Sequence, residues 1–118
     1  MDHRRRDRLL AGRSGSCRIE GDPGVEWLHC HLIDVSMLGL GLYVQHPSPT
    51  ALIGRDVTVE VSPFEDSVNF RLEGSIREAT PLRAEGTIRV GVAFGRLSTS
   101  ERYMIDVLTW SEVGRRTA

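Results

Sequence analysis

Four residues around position 36 bring acceptor, hydroxyl and flexible backbone groups together in a short stretch. Asp34 offers only hydrogen-bond acceptors, whereas the Ser36 hydroxyl can donate or accept. Residues two apart in an extended strand project from the same face, so this pattern places both side chains side by side. Such a pair suits the donor-rich edge of a base, and guanine presents adjacent N–H and NH₂ groups to a carboxylate. Gly39 and Gly41 lack a Cβ atom, so they allow a bend or the close approach of a ligand.

An arginine cluster lies near the start of the chain, at Arg4, Arg5, Arg6 and Arg8. The guanidinium group matches phosphate oxygens with paired donors and can also stack on a flat ring. Residues 1–18 hold six arginines against two aspartates, a charge of +4, which leaves −5 for the remainder of a chain whose net charge is −1. A basic segment attached to an acidic body is placed to meet an anion. Phosphate binding by the arginines and base reading by the carboxylate together suggest a nucleotide ligand.

The order and spacing of these residues resemble the two-part signature of the PilZ family, small bacterial receptors for cyclic di-GMP. The two parts are Arg4-x-x-x-Arg8 and Asp34-x-Ser36-x-x-Gly39. The resemblance implies that cyclic di-GMP is the ligand and that the protein uses no cofactor.

The resemblance also implies a role for each matched residue. The implied ligand-binding residues are Arg4, Arg5, Arg8, Asp34, Ser36 and Gly39. The arginines are expected to hold phosphate and stack on guanine, with Arg5 as a second candidate because the arginines are consecutive. Asp34 and Ser36 are expected to bind the guanine edge, and Gly39 to keep the surface open for the ligand.

Length and composition indicate one ordinary globular domain. A chain of 118 residues is long enough for a single hydrophobic core. No apolar run approaches the roughly 20 residues of a membrane helix, and no signal peptide follows Met1, so we expect a cytoplasmic protein without a membrane-inserted segment. Cys17 and Cys30 lack zinc-type spacing and are expected to be small buried thiols, with a disulfide between neighbouring strands as the alternative.

The chain divides into an arm and a folded part. Residues 1–13 are expected to form a flexible arginine-rich arm, because its few apolar side chains cannot offset the entropy of ordering without a partner. Residues 14–118 are expected to form the domain. Strands are predicted at residues 16–20, 25–35, 38–44, 56–62, 67–80 and 87–94. Turn signals without intervening helices favour a mainly all-β fold, a six-stranded antiparallel split barrel of the PilZ type.

Hydrophobic alternation predicts the inward face of some strands and not of others. The strand at residues 56–62 alternates cleanly and predicts an inward face of Val57, Val59 and Val61. Residues 25–35 are ambiguous, because Leu32 shares the face of Asp34 while Val35 lies on the other face. Either face can be the core unless a bulge shifts the register within the strand. If Asp34 faces a ligand, Ile33 and Val35 must face inward.

The last segment changes to a helical period. Ser98 and Glu101 fit a capping box, and Gly114 predicts the helix end. The apolar residues at helical spacing are Tyr103, Met104, Val107 and Leu108. We expect this C-terminal helix to pack on the barrel. Residues 89–94, Arg-Val-Gly-Val-Ala-Phe, followed by a capped helix, resemble the closing segment of PilZ domains, so the likeness spans nearly the whole chain.

The sequence does not predict an enzyme. His29 and His31 share a strand face, yet no third metal ligand occurs at useful spacing, so we predict no metal site. Ser36 has no recognisable base partner, and no nucleophile elbow or phosphate-binding glycine loop occurs.

The protein is predicted to bind cyclic di-GMP. Binding is expected to order the arm and so pass the signal to a downstream protein partner. The protein is expected to act as a monomer or a homodimer. One alternative is a PilZ-fold interaction adaptor that does not bind the nucleotide. Binding of nucleic acid is not predicted, because the body is acidic and aromatic residues make up only 6% of the chain.

Overall fold

The computed structural model describes residues 13–21, 27–46, 51–62, 69–82 and 86–117. Its elements are β1 (Arg13–Ile19), β2 (Leu28–Val35), β3 (Gly39–Gln45), β4 (Asp56–Val61), β5 (Phe70–Pro81), β6 (Thr87–Ala93) and the helix α1 (Thr99–Thr117). The described strands close a barrel in the order β1-β2-β3-β6-β5-β4, and every neighbouring pair is antiparallel. This confirms the predicted six-stranded antiparallel barrel with a C-terminal helix.

Most element boundaries differ from the prediction by one to three residues, and two of the differences have a clear physical reason. Strand β1 begins at Arg13, three residues before the predicted start, because Arg13 to Gly15 continue the ladder with β2. Helix α1 continues through Gly114 to Thr117, so the predicted stop at Gly114 is wrong. Glycine costs about 1 kcal/mol inside a helix relative to alanine, which weakens a helix without ending it.

The core fills the barrel with the apolar residues that alternate along each strand. Val57, Val59 and Val61 are each no more than 2% exposed, which confirms their predicted inward face. Ile105 and Leu108 of α1 belong to the same buried cluster, so the helix packs against the barrel.

The predicted capping box of α1 is present. The Ser98 N–H donates to Glu101 Oε1 at 2.9 Å, and the Glu101 N–H donates to Ser98 Oγ at 3.1 Å. Tyr103 is 65% exposed, so its predicted place on the packed face is wrong. The buried side of the helix follows Met104, Ile105 and Leu108 instead, and Tyr103 lies about 160° around the helix from Ile105.

Helix α1 does not have the length and apolar character of a membrane-spanning helix. No other helix among the described residues meets these requirements either.

Both cysteines are thiols outside any disulfide and are buried in the core, Cys17 at 1% and Cys30 at 0% exposure. A hydrogen bond with Cys17 and burial both raise the pKa of the Cys30 thiol above its ordinary value. The folded state therefore keeps this proton at a pH where the unfolded chain loses it, near its ordinary pKa of about 8.5. Because the unfolded state then binds fewer protons, the free energy of unfolding must fall as the pH rises further.

We expect this thiol to lower the free energy of unfolding by roughly 1 to 1.5 kcal/mol per pH unit between about pH 9 and 10.5. Urea unfolding of the wild type and of Cys30→Ala over this range measures it. The variant should start less stable, because a core atom is lost, and should decline less steeply. Equal slopes for the two proteins would contradict the prediction.

Candidate ligand-binding site

A β-bulge determines the direction of the Asp34 side chain. Leu32 pairs with Leu42 and Asp34 pairs with Gly41, so Ile33 is an extra residue on β2. Leu32 is fully buried before the bulge and Val35 is buried after it, at 0% and 4% exposure. The inward face therefore changes within the strand, and Asp34 lies outside although simple alternation from Leu32 would turn it inward. Bulges commonly redirect side chains in this way next to functional sites.

The turn after β2 uses Ser36 to fix its own backbone. The Ser36 N–H donates to the Gly39 carbonyl at 2.8 Å, and the Leu38 N–H donates to Ser36 Oγ at 3.2 Å. The Phe94 N–H donates to the Leu38 carbonyl at 2.9 Å, which joins the turn to the residue after β6. The Ser36 oxygen thus accepts a local bond, as serine does in tight turns, and its hydroxyl hydrogen remains able to donate to a ligand.

Gly39 is packed against the backbone of β6. A Cβ atom at this position would lie 2.0 Å from the Val92 carbonyl oxygen and 3.3 Å from Ala93 Cα. No side chain fits this approach unless the two strands move apart. The structure therefore gives Gly39 a packing role, in addition to the open surface that the family resemblance implied.

Gly41 and Arg89 surround the Asp34 carboxylate. A Cβ atom at Gly41 would lie 2.8 Å from Asp34 Oδ1, so the carboxylate occupies the space that a side chain there would fill. Arg89 Nη2 lies 3.9 Å from Asp34 Oδ2, and the Arg89 side chain is 47% exposed. An ion pair of this length and exposure contributes at most about 1 kcal/mol to stability, so the guanidinium can turn toward an anion at little cost.

Arg89 was not among the predicted site residues. In the sequence, Arg89 stands out only as part of residues 89–94, the segment that resembles the end of PilZ domains. It meets Asp34 because β3 lies between β2 and β6, and this strand order is a property of the closed barrel. The sequence shows only an exposed position on an alternating strand.

The same outer face of β2, β3 and β6 continues into a shallow depression of about 410 Å³. Its lining residues are Leu28, His29, His31, Tyr43, Val44, Gln45 and Thr87. The rings of His29 and His31 meet edge to face, with centroids 4.7 Å apart. Within the described ranges, no group of three or more histidine, cysteine, aspartate or glutamate side chains is arranged to hold a metal ion. The depression thus combines aromatic, polar and aliphatic side chains on the strands that also carry Asp34 and Arg89.

The predicted arginines Arg4, Arg5 and Arg8 lie outside the described residues. The described chain begins at Arg13, which pairs with Leu32 on β2. Since β1 and β2 are antiparallel, the start of β1 lies at the end of β2 that carries Asp34. Residues 1–12 are thus covalently attached to the barrel beside Asp34.

The sequence matches the PilZ domain family model over residues 2–109. The fold resembles the PilZ domain with c-di-GMP of YcgR from Escherichia coli, with a TM-score of 0.65 and 15% identity over 86% of this chain and 84% of that one. It also resembles the Borreliella burgdorferi PlzA protein in complex with c-di-GMP, with a TM-score of 0.53 and 17% identity over 98% of this chain and 50% of that one. No curated protein matches the sequence.

The family match agrees with two sequence predictions. PilZ domains are non-catalytic receptors, in accord with the prediction that the chain is not an enzyme. The match over residues 2–109 also confirms the predicted family resemblance. Because the model matches most of the sequence, the chain belongs to the PilZ domain family.

Proposed function

We propose that this PilZ domain binds cyclic di-GMP on the outer face of β2, β3 and β6. The observation that carries the proposal is the position of Asp34, which the bulge at Ile33 turns outward beside Gly41 and Arg89. Two solved PilZ structures that resemble this chain were determined with c-di-GMP, which supports the choice of ligand.

The site residues supply complementary chemistry to a guanine nucleotide. The Asp34 carboxylate accepts hydrogen bonds from the adjacent N–H and NH₂ groups of guanine, and the Ser36 hydroxyl donates to a ligand acceptor. Arg89 lies on the next strand but one and offers a guanidinium to phosphate. Charge-assisted hydrogen bonds of this kind contribute roughly 1.5–3 kcal/mol each.

The arginines of the N-terminal arm supply the phosphate contacts. Arg8 precedes Arg13 by five residues, a separation that an extended chain spans over at most about 18 Å. Strand spacing places Asp34 within about 10 Å of Arg13, so Arg8 can reach a ligand seated at Asp34. Arg4 and Arg5 extend the same reach. The proposed phosphate-binding arginines and the proposed base-binding Asp34 can therefore contact the same ligand.

Ordering of residues 1–13 around the ligand relays the signal. The ordered arm and the barrel face together form a surface that exists only in the bound state, and a downstream protein reads that surface. The protein acts in the cytoplasm as a monomer or a homodimer. The arm is attached to the folded unit, predicted as residues 14–118, at Arg13, which the structure makes the first residue of β1.

Calorimetric titration of cyclic di-GMP tests the proposal, with Arg8→Ala as the variant and Arg102→Ala, an exposed arginine of α1, as its control. We expect a dissociation constant of about 10 μM or lower for the wild type and for Arg102→Ala. Arg8→Ala should bind at least about tenfold more weakly, because a charge-assisted contact to phosphate is lost. The stoichiometry also distinguishes one ligand from a pair.

Amide exchange with and without ligand tests the relay. Residues 1–12, the part of the arm that precedes β1, should gain protection when cyclic di-GMP binds. Equal exchange of these residues in both states would contradict the ordering mechanism. An absence of heat at about 50 μM wild-type protein would contradict binding itself and favour the adaptor function.

A further inference from the structure

We propose that Glu78 reads the second guanine of cyclic di-GMP, as Asp34 reads the first. This inference rests on the proposed function and adds a residue on β5 to the site. It follows from a second bulge in the barrel, from the glycines between the two carboxylates, and from the twofold composition of the ligand.

A bulge on β5 repeats the geometry of the bulge on β2. Ile76 pairs with Val92 and Glu78 pairs with Gly91, so Arg77 is the extra residue. Ile76 is fully buried, and simple alternation would turn Glu78 inward with it. The bulge turns Glu78 outward instead, and Ala79 packs against the core. Each bulge of the barrel wall thus brings one carboxylate to the outer surface.

The two carboxylates flank a pair of glycines. In register, Asp34 lies opposite Gly41, Gly41 opposite Gly91, and Gly91 opposite Glu78. These four residues form one row across β2, β3, β6 and β5. The central two positions carry no side chain, so the row has a flat floor of backbone between its acidic ends.

Both acidic side chains lie over this floor. Asp34 Oδ1 is 2.8 Å from the position of a Cβ atom at Gly41, and Glu78 Oε2 is 3.6 Å from the corresponding position at Gly91. Cβ positions of directly opposed residues are about 5 Å apart, so the carboxylate oxygens are separated by no more than about 12 Å. Glu78 is exposed to solvent and open to a ligand.

The ligand has two equivalent bases, and each guanine presents the same adjacent donors. One carboxylate satisfies the donor edge of one base only, so a receptor that recognises both bases needs a second acceptor. Glu78 is the acidic residue at the opposite end of the glycine floor. A glutamate placed against the ligand's phosphates would repel them, so its favourable position is at a base edge.

The test compares two ligands that differ in one base. Cyclic di-GMP and 3′,3′-cyclic GMP–AMP are titrated into the wild type, Glu78→Gln and the control Glu73→Gln, an exposed glutamate of the same strand. We expect Glu78→Gln to bind cyclic di-GMP about tenfold more weakly than the wild type, because the charged acceptor is lost. Its affinity for cyclic GMP–AMP should change less than about twofold, since Asp34 takes the single guanine.

The wild type should therefore prefer cyclic di-GMP, and Glu78→Gln should lose that preference. Unchanged or tighter binding of cyclic di-GMP by Glu78→Gln would overturn the inference. So would an equal loss for both ligands, or an equal effect in Glu73→Gln. If the wild type binds neither ligand, the proposed function fails first, and this result differs from all the others.

Discussion

Replacement of Asp34 by alanine should weaken the binding of cyclic di-GMP by about a hundredfold or more. The carboxylate accepts from two donors of one guanine edge, and each charge-assisted bond contributes roughly 1.5–3 kcal/mol. Loss of both leaves two buried donors of the ligand without an acceptor. The freed Arg89 guanidinium offsets part of the loss, because it can then serve the phosphate alone.

Replacement of Asp34 by asparagine separates the contribution of the negative charge to affinity from that of the side chain's shape. Asp34→Asn keeps one acceptor oxygen but presents an NH₂ group to one of the guanine donors, so it should bind more tightly than Asp34→Ala and more weakly than the wild type. The fold should persist in both variants, because the Asp34 side chain lies outside the core and is 20% exposed.

The matched control is Asp106→Ala, which removes an exposed aspartate of α1. It changes the net charge equally and should leave the affinity within about twofold of the wild type. Calorimetry measures all three variants, and thermal unfolding verifies that each is folded. If Asp34→Ala binds cyclic di-GMP with wild-type affinity, the proposed contact between Asp34 and the guanine edge is wrong.

Strand alternation predicted the regular parts of the barrel well. Val57, Val59 and Val61 all face the core, because β4 pairs without interruption with both of its neighbours. The capping box of α1 was equally predictable, since Ser98 and Glu101 are close in sequence and their bonds are local. Features that depend on neighbouring residues of the chain are visible in one sequence.

The site depends on features that one sequence does not contain. The bulge at Ile33 is defined by the pairing of β2 with β3, so the sequence of β2 alone did not determine whether Asp34 faces inward or outward. Asp34 and Arg89 lie close together because β3 is the strand between β2 and β6. The motif therefore predicted the residue types, whereas the pairing of distant strands determines which of them meet.

Gly39 shows how a signature residue can carry two roles. The motif predicts glycine at this position for access of the ligand, and alternation gives no reason to expect a contact with β6. The structure adds that contact, since the Val92 carbonyl lies where a side chain would begin. Stability and binding measurements on one pair of variants separate the two roles.

Replacement of Gly39 by alanine should lower the free energy of unfolding by about 3 kcal/mol or more. The added Cβ atom would lie 2.0 Å from the Val92 oxygen, and the other close atoms are also backbone atoms of β6. Backbone atoms cannot rotate away as side chains do, so β3 and β6 must separate locally. Gly91→Ala is the control, because its Cβ atom would meet only the Glu78 side chain, at 3.4 Å or more.

The control should cost less than about 1 kcal/mol in urea unfolding, since 3.4 Å is an ordinary contact distance. A large loss for Gly39→Ala beside a small one for Gly91→Ala would assign Gly39 to the packing of β3 on β6. If Gly39→Ala is as stable as the wild type but fails to bind cyclic di-GMP, the packing role is wrong. The glycine would then serve access of the ligand alone, because the strands would have adjusted to the methyl group and the nucleotide would not.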